Sequence, residues 1–167
     1  MRKNQSDRVR NLTRIAVVAA VYALLTVLVS PLSYGAVQFR FSEILVLLCF
    51  YRKDYAVALT LGCFIANLLS PFGLDILFGT MGTAAAVFVM YYMPNIWLAA
   101  ALPVITNGIL VGLELYLYGE PLWFSMGTVA LGELAVMIVG AVLFRTALER
   151  PHFMSLIGST RKKPEKS

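Results

Sequence analysis

Charge is scarce in this chain. Only 14% of its 167 residues are Asp, Glu, Lys or Arg, 59% are hydrophobic, and mean hydropathy is +0.77. A soluble domain is nearer one quarter charged, so the shortage excludes one and points to a bilayer. Cysteine is limited to Cys49 and Cys63, both inside apolar runs and without CxxC spacing. That excludes a disulfide framework or a thiolate metal site and leaves two small buried hydrophobes. The one histidine, His152, lies beyond the last apolar run, so no metal or catalytic role is expected of it. No nucleophile–base pair is visible, and only acid–base work by carboxylates would remain open to an enzyme. No GxxxxGK[ST] occurs, which excludes a Walker-type ATP site. Long polar stretches are missing except at the two ends. Residues 1–167 therefore read as a single integral membrane domain, with 1–11 and 151–167 as basic cytoplasmic tails. No cofactor is expected.

What is present is a series of six apolar segments: about Leu12–Val29, Val37–Tyr51, Tyr55–Leu69, Leu74–Tyr92, Ile96–Tyr118 and Leu122–Leu148. Ser30-Pro31, Arg52-Lys53-Asp54, Ser70-Pro71-Phe72-Gly73, Pro94-Asn95, Gly119-Glu120-Pro121 and Pro151 punctuate them. A spanning helix needs about 20 apolar residues, so segments two and three are short. The basic start followed by an apolar run mimics a secretory signal, but no A-x-A follows closely, and a retained first helix is expected. Cytoplasmic loops hold the excess Lys and Arg. Six spans with both termini inside put thirteen of the fourteen basic residues on the cytoplasmic side, Arg40 being the exception. The expected fold is all-α, a six-transmembrane-helix bundle with cytoplasmic N and C termini, multi-pass in a bacterial cell membrane. Basic tails can also bind nucleic acid, but tails flanking apolar segments are explained by topology.

Ionisable groups inside a bilayer are costly and usually face a cavity or one another. Six spans place Glu43, Asp75, Glu114 and Glu133, with Asn67 and Asn107, in the middle and outer half of the bundle. Local explanations exist for some. Asp75 can complement a helix N-terminus, Arg40 and Glu43 can pair at i, i+3, Ser42 can cap that helix, and Asn107 can bond a neighbouring helix. Glu133, between Val-Ala-Leu-Gly and Leu-Ala-Val-Met, resists such an explanation. Tyr34, Phe39, Phe41, Phe72, Tyr116, Tyr118, Trp123 and Phe124 gather at the same level. Most suit an interfacial belt, and Trp123 is the candidate to stack on a flat ligand. Four carboxylates against one Arg favour a cationic ligand or one rich in N–H donors, a paired N–H edge suiting one carboxylate. Ala16, Ala19, Ala20 and Ala23 form two overlapping AxxxA spacings, a surface for close helix approach either within the bundle or against a partner membrane protein.

VQFRFSEILVLL (37–48), GCFIANLLSPFGLDILFGTMGT (62–83), PVITNGILVGLEL (103–115) and VALGELAVMIVG (129–140) together resemble the QueT family. These are queuosine-precursor-specific S components of energy-coupling factor (ECF) transporters. The resemblance implies a six-helix substrate-binding subunit that captures 7-aminomethyl-7-deazaguanine or queuine from outside. It implies a transmembrane scaffold (T) subunit and two ATPase subunits as partners, with the Ala-rich face of the first helix meeting the scaffold. Gln38, Arg40 and Glu43 would lie on and below the loop that lids the pocket. Glu133 or Glu114 would take the purine donor edge, Asn107 and Asn67 would complete the lining, and Asp75 or Glu43 would neutralise the ammonium. Three other readings are a small secondary transporter with Glu133 as proton carrier, an S component for a different vitamin, and an assembly protein whose acids pair internally.

Overall fold

The computed structural model describes residues 2–33, 38–148 and 150–160. Among these there are eight α-helices and no strand. Helix α1 is Arg2–Leu28, followed by a single turn, α2 (Ser30–Ser33). Residues 38–40 have no regular secondary structure. A 3₁₀ helix, Phe41–Leu47, then runs directly into α3 (Leu48–Tyr51). Helix α4 is Tyr55–Asn67, and a 3₁₀ turn, Gly73–Ile76, leads into α5 (Phe78–Met90). Two long helices follow, α6 (Ile96–Leu117) and α7 (Leu122–Leu143). A π segment, Phe144–Leu148, and α8 (Pro151–Ile157) complete the chain.

The breaks follow the punctuation of the sequence. Pro94 stops the chain, and the Asn95 side chain accepts from the Leu98 N–H at 2.9 Å to cap α6. After α6 the Glu120 N–H donates to the Leu115 carbonyl at 3.1 Å and the Gly119 N–H to that of Tyr116 at 3.0 Å. This double bond pattern needs a left-handed residue between helix and exit, and Gly119 supplies it at φ 101°. The turn reverses the chain, so α6 and α7 lie antiparallel. Their contact is made at Gly108 and Gly112, a GxxxG spacing. A Cβ at Gly112 would come within 2.9 Å of the Met126 backbone nitrogen and one at Gly108 within 3.1 Å of the Ala130 Cβ.

Among the described residues four elements are long and apolar enough to cross a membrane: Asp7–Leu28, Gly73–Met90, Ile96–Leu117 and Leu122–Thr146. They coincide with expected segments one, four, five and six. Segments two and three appear as the shorter apolar helices Phe41–Tyr51 and Tyr55–Asn67. Each reaches about 20 Å, using 2.0 Å per residue for the 3₁₀ part and 1.5 Å for the α part. The expected start of segment two, Val37, lies outside the described residues, as do Tyr34 and residues 161–167.

The bundle has two distinct ends. At the lower end Tyr51 stacks on Phe144 with ring centres 5.7 Å apart, and Phe153 meets Phe144 edge to face at 6.3 Å. The stretch from 151, expected as a plain tail, opens with α8, which docks there. Ile157 is buried, its carbonyl accepts from the Tyr55 hydroxyl at 2.8 Å, and the Gly158 carbonyl accepts from Arg52 at 3.2 Å. The hydrophobic core fills this lower half, from Ala56 and Leu59 of α4 to Met90, Ala99 and Met137. The upper end carries the α6–α7 turn and the α4–α5 connection, where the Phe72 and Tyr118 rings lie 5.5 Å apart.

Candidate functional site

Apolar packing gives way to polar side chains in the upper half. Gln38, Arg40, Glu43, Asn67, Asp75, Asn107, Glu114 and Glu133 are all at most 2% exposed. They come from separate stretches: 38–43, α4, the 3₁₀ turn before α5, α6 and α7. Eight of the nine residues anticipated for the site are thus buried at this level.

Arg40 lies inside the group. Its guanidinium faces Asp75 Oδ1 at 3.5 Å and is within electrostatic reach of Glu43, Glu114 and Glu133. Asp75 Oδ2 accepts from the Ser70 hydroxyl at 2.7 Å, so both its oxygens are engaged. Asn67 is a clamp: its Nδ2 donates to the Asp75 carbonyl at 2.9 Å and to Thr80 Oγ1 at 3.2 Å. Glu43 Oε1 accepts from the Tyr22 hydroxyl of α1 and from Thr83 Oγ1 at 3.2 Å. Asn107 Nδ2 donates to Glu133 Oε1 at 2.9 Å, tying α6 to α7.

Among the described residues several acceptors remain unused. Glu43 Oε2, Glu133 Oε2, Asn107 Oδ1, Asn67 Oδ1 and both oxygens of Glu114 are buried and meet no N–H or O–H donor. The Glu114 carboxyl lies alongside that of Asp75. Burying an acceptor without a donor costs about 1–3 kcal/mol, more when it is charged. Six such atoms at one level are well beyond what packing alone explains. Four carboxylates and one guanidinium give the group a formal charge of −3 (−4 + 1) when all are ionised. The arrangement is built to accept hydrogen bonds and positive charge.

Several participants carried no sequence signal. Tyr22 and Thr83 are hydroxyls on apolar stretches and Ser70 lies in a loop, and nothing in the sequence marks any of them as facing inward. Three glycines act through what they lack. A Cβ at Gly132 would stand 2.6 Å from the Gln38 carbonyl oxygen, one at Gly79 would stand 2.7 Å from Asp75 Oδ1, and one at Gly82 would strike Asn107 Oδ1. Their missing side chains make room for the 38–40 segment and for the polar groups.

Two anticipated features are placed apart from the buried group. Trp123 is 82% exposed at the start of α7 and stands outside the buried group. Ala19 and Ala23 are buried against α4, where a Cβ at Gly62 would come within 2.7 Å of the Ala19 carbonyl oxygen. One AxxxA spacing is therefore spent on internal packing. Only Ala16 and Ala20 face outward, on the least enclosed helix: 22% of the α1 span is buried, against 44% for α6 and for α7.

Above the acids, at the upper end of α6 and α7, lies a cleft of about 320 Å³. Phe72, Tyr118, Glu120 and Phe124 line it, over a floor of Leu115, Ser125 and Thr128.

A multi-pass membrane protein that buries a polar, acid-rich cluster in one half of an apolar bundle has the build of a small-solute transporter. Comparison with known proteins agrees. The family model described as QueT transporter matches residues 12–149. The queuosine precursor transporter QueT of Lactococcus lactis subsp. cremoris (strain MG1363) is 31% identical over 156 residues, covering 83% of this chain and 92% of the relative. No solved structure matches. The chain belongs to the QueT transporter family.

Proposed function

We propose that this chain is the substrate-binding S component of an ECF-type importer and captures a queuosine precursor from outside the cell. The observation that carries the reading is the set of unused buried acceptors on Glu43, Asn107, Glu114 and Glu133. A 7-deazaguanine base supplies a paired N–H edge, and its 7-aminomethyl arm supplies an ammonium. Glu133 Oε2 and Asn107 Oδ1, joined through the Asn107–Glu133 bond, take the donor edge in this reading. Glu114 takes the ammonium, because both oxygens of Asp75 already serve Arg40 and Ser70. Asn67, Arg40 and Gln38 hold the walls.

The topology proposed is six spans with both termini cytoplasmic. It is supported by the lower-end placement of Arg14, Arg52, Lys53 and Arg145, with Arg40 the one basic residue of the upper half among the described residues. Phe41–Tyr51 and Tyr55–Asn67 cross as thin spans, the bilayer adjusting locally. The upper end then faces outward. ATP hydrolysis falls to two ATPase subunits, and the scaffold subunit docks on the Ala16–Ala20 face of α1, where small residues permit close approach.

Isothermal titration of the purified chain with 7-aminomethyl-7-deazaguanine tests the ligand, with saturable one-to-one binding expected. Binding of guanine and of the deazaguanine to the same degree would remove the ammonium from the account, and no binding by either would remove the substrate. A second reading, a proton-coupled carrier acting alone, is favoured by the adjoining Asp75 and Glu114 carboxyls, which can share one proton. Liposomes with a pH gradient and only this chain separate the two: the S component takes up no ligand, whereas the carrier does.

A further inference from the structure

The buried acids are at most 2% exposed. A ligand from the upper side therefore reaches them only if some part of the upper end moves aside. The α4–α5 connection is placed to be that part. It carries Ser70 and Asp75 of the site below, and it is pinned at the surface by two contacts to α6. The Tyr118 hydroxyl accepts from the Leu74 N–H at 3.1 Å, and the Phe72 ring meets the Tyr118 ring at 5.5 Å.

The 320 Å³ cleft sits against this same connection, with Phe72 and Tyr118 in its lining. Its floor residue Leu115 adjoins Glu114 in sequence, and its wall residue Phe72 precedes Asp75 by three. The walls offer the faces of Phe72, Tyr118 and Phe124, and Glu120 places an exposed carboxylate at the rim. Aromatic faces bind flat rings and attract cations through their negative π-cloud. A rim carboxylate adds attraction for a cation approaching from solvent.

We propose that this cleft is an encounter site, a second and shallower place where a planar cationic heterocycle rests before passing to the buried acids. The proposal rests on the substrate reading above and adds a binding step to it. Phe72 and Tyr118 have two tasks: they stack on the waiting ligand, and their contact holds the α4–α5 connection shut. Inserting a flat ring between them loosens that contact, so occupancy of the cleft favours opening toward Asp75 and Glu114.

Stopped-flow fluorescence tests this with 7-aminomethyl-7-deazaguanine as the probe. The Trp97→Phe background leaves Trp123, next to the cleft wall, as the reporter. In Glu120→Gln the association rate should fall about fivefold while the dissociation rate is unchanged, because a rim charge acts on encounter. The difference should vanish in about 1 M salt, where the Debye length is about 3 Å. Phe72→Leu, which keeps an apolar side chain but no ring, removes the stacking face and the latch together, so the fast encounter phase should be lost at both salt levels, whatever the rate of the later opening. Normal association in both variants, with the parent binding, would overturn the encounter site and leave the buried site standing. A loss confined to the dissociation rate would also overturn it. Failure of the parent to bind would remove the substrate reading, and this step with it.

Discussion

Glu133→Gln is expected to weaken binding of the deazaguanine ligand by about 100-fold, equivalent to about 2.7 kcal/mol. The variant keeps the shape of the side chain. It also keeps an acceptor for the Asn107 Nδ2 donor, now at 2.9 Å from Glu133 Oε1. What changes is the second oxygen. In the parent, Glu133 Oε2 is buried and meets no donor among the described residues. With the Gln carbonyl kept by the Asn107 bond, the second position becomes an N–H group facing the ligand's own donors. Losing one partner of a buried charged hydrogen bond costs about 2–5 kcal/mol, which sets the size of the effect. The amide also removes a buried charge, so the folded chain should be at least as stable as the parent. Weaker binding with unchanged thermal stability, read by titration and by a melting curve in the same detergent, is the expected pair of results. Unchanged affinity would take Glu133 out of the site.

Arg40→Met is expected to produce the largest loss of stability. The guanidinium is 1% exposed, faces Asp75, and lies within reach of three further carboxylates. Methionine fills much of the same volume and removes the only cation of the group. Breaking a buried pair on one side leaves uncompensated charge and costs about 3–5 kcal/mol. The apparent Tm should drop by on the order of 10 °C. Adding Asp75→Asn should restore part of that loss, because the stranded partner is then neutral. A double variant no more stable than Arg40→Met alone would show that Arg40 acts through other contacts.

Much of this was legible in the chain, for physical reasons that differ by feature. The long apolar runs declared α1, α5, α6 and α7 because bilayer thickness fixes the length of a span. The thinness of segments two and three was equally plain. That seven residues of segment two form a 3₁₀ helix was not, since the two helix types share composition. The 3₁₀ repeat of three stacks Glu43 over Val46, both fully buried. Convergence of Glu43, Asp75, Glu114 and Glu133 at one level followed from helix direction alone, because depth is a one-dimensional quantity. Azimuth is not. Ala16 and Ala19 lie at nearly the same depth, yet one faces outward and the other α4. Trp123 shares the upper level, but its ring is exposed outside the buried group. The roles of Gly79, Gly82 and Gly132 were hidden because a glycine's contribution is space, visible only once neighbours fill it.

The most direct measurement is a liganded structure of the chain with 7-aminomethyl-7-deazaguanine. The base should lie between α6 and α7 with its N–H edge on Glu133 and Asn107 and its ammonium within about 3 Å of a Glu114 oxygen, as charged hydrogen bonds require. A ligand seated elsewhere, with Glu114 and Glu133 turned to other protein donors, would contradict the account.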